Sequence, residues 1–122
     1  MTKHILIADD DEDLRQALEQ LLELEGYSIA GAADGRAALG LARQAGCDLI
    51  LLDVKMPGFD GLEVLAALHD QLPRVPIIMM SGQAGRHTVS SALRGGACDF
   101  IMKPFNDEFV LLAVRRALEP LI

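Results

Sequence analysis

Five short apolar runs, His4 to Ala8, Tyr27 to Ala32, Asp48 to Leu52, Pro76 to Met80 and Asp99 to Met102, alternate with longer segments whose apolar residues recur at helical spacing. That rhythm predicts strands and helices in turn, and hence an α/β domain whose parallel sheet is covered on both faces. In the third and fourth runs, LILL and IIMM have no polar alternation. They are expected to be central strands, buried on both sides.

Between the runs, Leu14, Ala17, Leu18, Leu21 and Leu22 follow the spacing of a helix with one buried stripe, closed by Gly26. Asp34 can cap a second helix whose Ala38, Leu41, Ala42 and Ala45 face inward before Gly46, and Leu62, Leu65, Leu68 and Leu72 mark a third before Pro73. The fourth, from Thr88 to Arg94, has only Val89, Ala92 and Leu93 as a stripe and glycines on either side. It should be the least stable helix. The last begins at Asn106 or Asp107, either able to cap it, and runs to Pro120.

A length of 122 residues suits one domain, 1-122, with no repeat and no internal linker. Apolar residues make up 51% of the chain and aromatics only 4%, so Leu, Ile, Val, Ala and Met must build the core. A net charge of -7 with no basic run argues against direct contact with nucleic acid or anionic lipid. With no apolar stretch long enough to span a bilayer, a cytoplasmic protein is expected. Cys47 and Cys98 form no CxxC arrangement and read as small buried hydrophobes. His4, His69 and His87 show no metal-ligand spacing and read as surface or loop residues.

The chemistry gathers at the strand ends. Asp9, Asp10 and Asp11 follow ILIA, Asp53 follows LILL, Ser81 follows IIMM and Lys103 follows DFIM. Four strands thus bring acids, a hydroxyl and an ammonium to the carboxyl edge of one sheet, where open α/β sheets bind ligands. Clustered carboxylates repel one another unless a cation is present, and a hard, oxygen-liking ion such as Mg²⁺ resolves that repulsion. Asp11, followed by Glu12 and Asp13, reads better as the start of the first helix than as a metal ligand. Ser81 or Lys103 alone would read as a turn residue or a surface charge; their shared edge argues otherwise.

Taken together, IADDDEDLR, DLILLDVKMPGFDG, the pair Ser81 and Gly82, and GACDFIMKPF resemble the response-regulator receiver domain of two-component signalling over the whole chain. The resemblance implies a flavodoxin-like, doubly wound sheet of five parallel strands in the order 2-1-3-4-5, with five helices. It implies that Asp53 is the phosphoacceptor, that Mg²⁺ is bound by Asp10, Asp53 and the main-chain carbonyl of Lys55, and that Asp9 acts through a metal-bound water. Ser81 and Lys103 would each engage a phosphoryl oxygen. The implied partners are a sensor histidine kinase and an output domain or protein met through helix 4, strand 5 and helix 5, with a phosphorylation-dependent homodimer as a further option.

Phe100 stands where the family carries an aromatic that moves inward on phosphorylation; a static half-buried core Phe is the other reading. Ser81 replaces the commoner Thr and Phe100 the commoner Tyr, changes that bear on the strength of the switch. Met56, Pro57, Gly58 and Gly61 are expected to shape the loop beside Asp53. In the implied strand order Cys47 and Cys98 lie two strand steps apart, roughly 9 to 10 Å against the ~7 Å limit for a disulfide. The Lys103–Pro104 bond is expected to be cis, because Lys103 must point into the acids while a helix begins almost at once. Another class, a Mg²⁺-dependent phosphohydrolase of small substrates, also uses an Asp nucleophile but needs a substrate pocket and usually a cap. Whether the chain is free-standing or a piece of a longer regulator is left open by its residues.

Overall fold

In chain order the strands are β1 (His4–Ala8), β2 (Ser28–Ala32), β3 (Leu49–Asp53), β4 (Lys55–Met56), β5 (Phe59–Asp60), β6 (Ile77–Ser81) and β7 (Asp99–Met102). The helices are α1 (Glu12–Leu24), α2 (Gly35–Ala45), α3 (Gly61–Gln71), α4 (Arg86–Arg94) and α5 (Asp107–Leu118). This computed structural model describes residues 2–83 and 85–119, apart from the side chain of Ala45. The expected inward-facing Ala45 and the helix end at Pro120 therefore lie outside the described residues.

The long strands form one parallel sheet in the order β2-β1-β3-β6-β7, which is 2-1-3-4-5 once the small β4-β5 hairpin is set aside. β3 and β6 are buried at every residue, as their unbroken apolar runs require. Alternate side chains feed two cores. Leu6, Ile50, Leu52, Ile77 and Met79 pack towards α2, α3 and α4, while Ile5, Ile7, Leu49, Leu51, Ile78 and Met80 pack towards α1 and α5. No helix among the described residues is long and apolar enough to cross a membrane.

Side-chain caps start most helices. Asp11 Oδ1 accepts from the Leu14 N–H at 3.2 Å, Asp34 Oδ1 from Ala37 at 2.8 Å and Asn106 Oδ1 from Phe109 at 2.8 Å. Each satisfies an N–H that the first helical turn leaves unpaired. α4 starts two residues earlier than its stripe suggested, at Arg86; its cap is Gly85, which offers no side-chain bond, and only Ala92 is buried. Few buried contacts and no cap are the features of a helix that opens easily.

Three expected core positions are corrected. Leu93, read as part of the stripe of α4, is exposed, because that helix meets the core through Ala92 and Leu93 is one residue round from it. Ala17 is exposed, because α1 packs on Leu18 and Leu22, and one residue is a rotation of about 100° away from that face. Cys98 is also exposed: it precedes β7, the edge strand, where no further strand covers it. Cys47 is buried and both thiols are free.

The loop after β3 folds into the β4-β5 hairpin, turned by Pro57 and by Gly58 at φ 76, a backbone angle that favours glycine. Gly61 then donates its N–H to the Val54 carbonyl at 2.8 Å. A Cβ on Gly61 would fall on the Val54 backbone itself, its Cα only 2.5 Å away. Because backbone yields less readily than a side-chain tip, Gly61→Ala is expected to cost about 1 to 3 kcal/mol of stability. A urea midpoint equal to that of the parent would show that the approach is looser than described.

Candidate functional site

Parallel strands in register end together, so residues at or just past their ends meet along one edge. β1 ends at Ala8, so Asp9 and Asp10 lie just beyond it; β3 ends in Asp53 and β6 in Ser81, and Lys103 follows β7. The β1-β3 pair is also where the strand order reverses, since α1 leads to β2 on one side and α2 to β3 on the other. At that switch point the chain leaves a crevice between the strand ends.

The acids differ in setting. Asp9 is 0% and Asp53 5% exposed, while Asp10 faces solvent. Asp9 Oδ1 accepts from the Asp11 N–H at 3.0 Å. Lys103 Nζ reaches Asp9 Oδ2 at 2.9 Å and Asp53 Oδ1 at 3.4 Å. Its N–H donates to the Ser81 carbonyl at 2.8 Å, which extends the β6-β7 ladder and carries the ammonium to the acids. The Lys103–Pro104 peptide bond is cis, as expected. Ser81, 3% exposed, accepts the Gln83 N–H on Oγ at 3.2 Å.

Burial, together with the charge on Asp9, pushes the Asp53 carboxyl up to about 6, although Lys103 and a main-chain bond from Lys55 pull the other way. Burial works against the charge of Lys103, yet the Asp9 and Asp53 carboxylates outweigh it and raise its pKa. One lysine is therefore not enough to neutralise the acids around it. Among the described residues, Asp9, Asp10 and Asp53 are the one acidic or histidine group able to share an ion, each offering an oxygen within 4.8 Å of the others. An all-oxygen, anionic donor set of this kind fits a hard divalent cation such as Mg²⁺.

Beside Asp10 a groove of about 610 Å³ is lined by Val54, Lys55, Met56, Phe59 and Thr88. Of the residues singled out from the sequence, Asp9, Asp10, Asp53, Ser81 and Lys103 come together, with Lys55 at the rim. Phe100 stands apart: it pairs with Met79 across β6-β7 and is half-buried against the core under α4. Asp11 caps α1, as read from its neighbours. Arg15 had no signal in the sequence, yet its Nη1 donates to the Asp9 carbonyl at 2.8 Å.

A family model, the response regulator receiver domain, matches residues 5–115. The chain belongs to the response-regulator receiver domain family. It is 41% identical over 115 residues to the C4-dicarboxylate transport transcriptional regulatory protein DctD of Pseudomonas aeruginosa, covering 94% of this chain and 25% of that protein. The CheY-like receiver domain protein of Methanospirillum hungatei superposes with a TM-score of 0.94 at 34% identity, covering 97% of this chain and 94% of that one. The receiver domain of NtrX from Brucella abortus gives 0.91 at 37%, with 96% and 99% covered. The chain spans about a quarter to a half of the length of the curated relatives it matches. Membership places this receiver domain in phosphorylation-dependent two-component signalling and sets aside both the small-substrate phosphohydrolase and a metabolic role.

Proposed function

We propose that residues 1–122 form a single phosphoacceptor domain in which Asp53 takes a phosphoryl group from a sensor histidine kinase or phosphotransfer protein, with Mg²⁺ at the site. The observation that carries this reading is the meeting of Asp9, Asp10, Asp53, Ser81 and Lys103 at one sheet edge. The carboxylates of Asp9, Asp10 and Asp53 and the main-chain carbonyl of Lys55 would hold the ion. When bound, Mg²⁺ supplies positive charge against the phosphoryl oxygens.

A carboxylate oxygen of Asp53 forms the new bond to phosphorus while the P–N bond of the phosphohistidine breaks and its electron pair returns to the imidazole. The Oγ of Ser81 already accepts the Gln83 N–H, so its hydroxyl proton is free to turn towards a phosphoryl oxygen. Lys103 exchanges Asp53 for another phosphoryl oxygen and keeps its shorter bond to Asp9. Transfer of this kind asks the protein for positioning and electrostatics more than for covalent chemistry. The domain's reaction is its own phosphorylation and slow dephosphorylation.

The readout runs through Phe100, which turns inward when Ser81 is drawn to the phosphoryl group and so alters the α4-β7-α5 surface. Exposed Leu93, Met102, Phe109 and Leu112 lie on those elements and offer apolar contact to an output domain, a partner or a second copy. The setting is the cytoplasm, and a net charge of -7 argues against DNA contact by this segment itself.

Incubation with Mg²⁺ and acetyl phosphate should add one phosphoryl group that is base-labile and acid-stable and maps to the peptide containing Asp53. Chelating the metal should stop the reaction. A phosphoryl group found on serine or histidine, or uptake indifferent to chelator, would overturn the reading.

A further inference from the structure

Every polar group of Asp9 is engaged. Its N–H donates to the Ala32 carbonyl at 3.0 Å, Oδ1 accepts from Asp11 at 3.0 Å and Oδ2 accepts from Lys103 at 2.9 Å. Its main-chain carbonyl is in a different position. The β1-β2 pairing ends at Ala8 and Ala32, and the chain beyond β2 turns away so that Asp34 can cap α2. The next N–H of a continuing strand is missing where that carbonyl needs one.

Arg15, in α1, fills the gap with the 2.8 Å bond from Nη1. Its side chain is only 16% exposed and is flanked by Glu19, whose Oε1 lies 3.8 Å from Nε. Gly31 in β2 makes room for the pair, because a Cβ there would run into the Glu19 carboxylate and come within 3.2 Å of Arg15 Cδ. A long, costly-to-order side chain is thus held between Glu19 and the open face of Gly31 and spends its bond on a single backbone oxygen.

We infer that Arg15 is a positioning residue for the metal cluster: it locks the Asp9–Asp10 peptide and thereby fixes the direction in which Asp10 presents its carboxylate. The carbonyl of Asp9 and the N–H of Asp10 share one rigid plane, so a bond to the first sets the departure of the second. Asp10 is exposed, so its own surroundings restrain it least among the three acids. The inference rests on the metal reading above.

Charge and position predict opposite outcomes. As a nearby cation Arg15 opposes Mg²⁺, so its removal would tighten binding if charge were its main effect. As the support of a ligand it favours Mg²⁺, and removing such support weakens metal affinity by about tenfold or more.

The test is Mg²⁺ affinity of the full chain at neutral pH, read from amide chemical shifts of the folded molecules, so that partial unfolding does not enter. Arg15→Met keeps the apolar stem and loses the donors and charge; Kd for Mg²⁺ should rise about tenfold. Arg15→Lys, which retains a charge and a donor, should recover part of the loss. Arg15→Leu, which also lacks donors and charge, gives the same reading should the Met variant fold poorly. An unchanged or lower Kd in the Met or Leu variant, beside a parent that binds, overturns the positioning role alone. A parent protein that does not bind Mg²⁺ overturns the metal reading and this inference with it.

Discussion

Asp53→Asn is expected to abolish phosphoryl uptake from acetyl phosphate in the presence of Mg²⁺. Asn keeps nearly the same shape, so the 5% exposed position at the end of β3 should tolerate it without a cavity or a clash. What disappears is the anionic oxygen. A neutral amide oxygen is a far weaker nucleophile towards phosphorus, and losing one carboxylate also weakens the proposed metal set of Asp9, Asp10 and Asp53. The remaining acids do not replace it: Asp9 is tied by Asp11 and Lys103, and Asp10 stands at the exposed rim. Intact-mass measurement of parent and variant under identical conditions decides the matter. Undiminished uptake by the Asn variant would sink the assignment of Asp53.

Much of the site was legible because strand ends are legible. An apolar run interrupted by a charged residue marks both the strand and its exit, and in a parallel sheet all exits fall on one side. Asp53 and Ser81 prove to be the last residues of β3 and β6, one place inside the boundary that their polarity suggested. Both positions are buried at the crevice floor, where a polar residue is tolerated for its partners. Caps were readable at Asp11 and Asp34, since a short polar side chain before a helical stripe has few other uses, while the structure decides for Asn106 over its neighbour Asp107 at the last helix.

What stayed hidden depends on tertiary placement. Ala17 satisfies the helical spacing as well as Leu18 does, and only the direction from which the sheet meets α1 separates them. Cys98 looks like a core residue until β7 is known to be the edge strand. The β4-β5 hairpin is two residues on each side, too short for any period to register, although Pro57 and Gly58 mark its turn. Arg15 acts on a backbone oxygen left over where a sheet ladder stops, and no residue spacing announces such a vacancy.

Without metal, the stability of the domain should fall as pH rises through the range in which Asp53 ionises. Burial and the neighbouring Asp9 hold this carboxyl at about 6, against 3.8 for the free side chain. Between those values the folded chain binds a proton at Asp53 that the unfolded chain has released. Stability from this group is therefore present at low pH and is lost as pH rises through the folded value. The displacement corresponds to about 3 kcal/mol over the whole window, of which roughly half falls between pH 5 and 8. The informative quantity is the difference between the parent and Asp53→Asn, each unfolded by urea in the presence of a chelator, because it isolates this one group. The Asn variant should gain on the parent steadily from pH 5 and be the more stable of the two above pH 6, even though it no longer pairs with Lys103. Mg²⁺ should reverse the order by stabilising the parent in proportion to the logarithm of its concentration. A parent-minus-variant difference that stays flat from pH 5 to 8 would mean that Lys103 already compensates Asp53 fully, and that repulsion within the acidic cluster is not what the cation relieves.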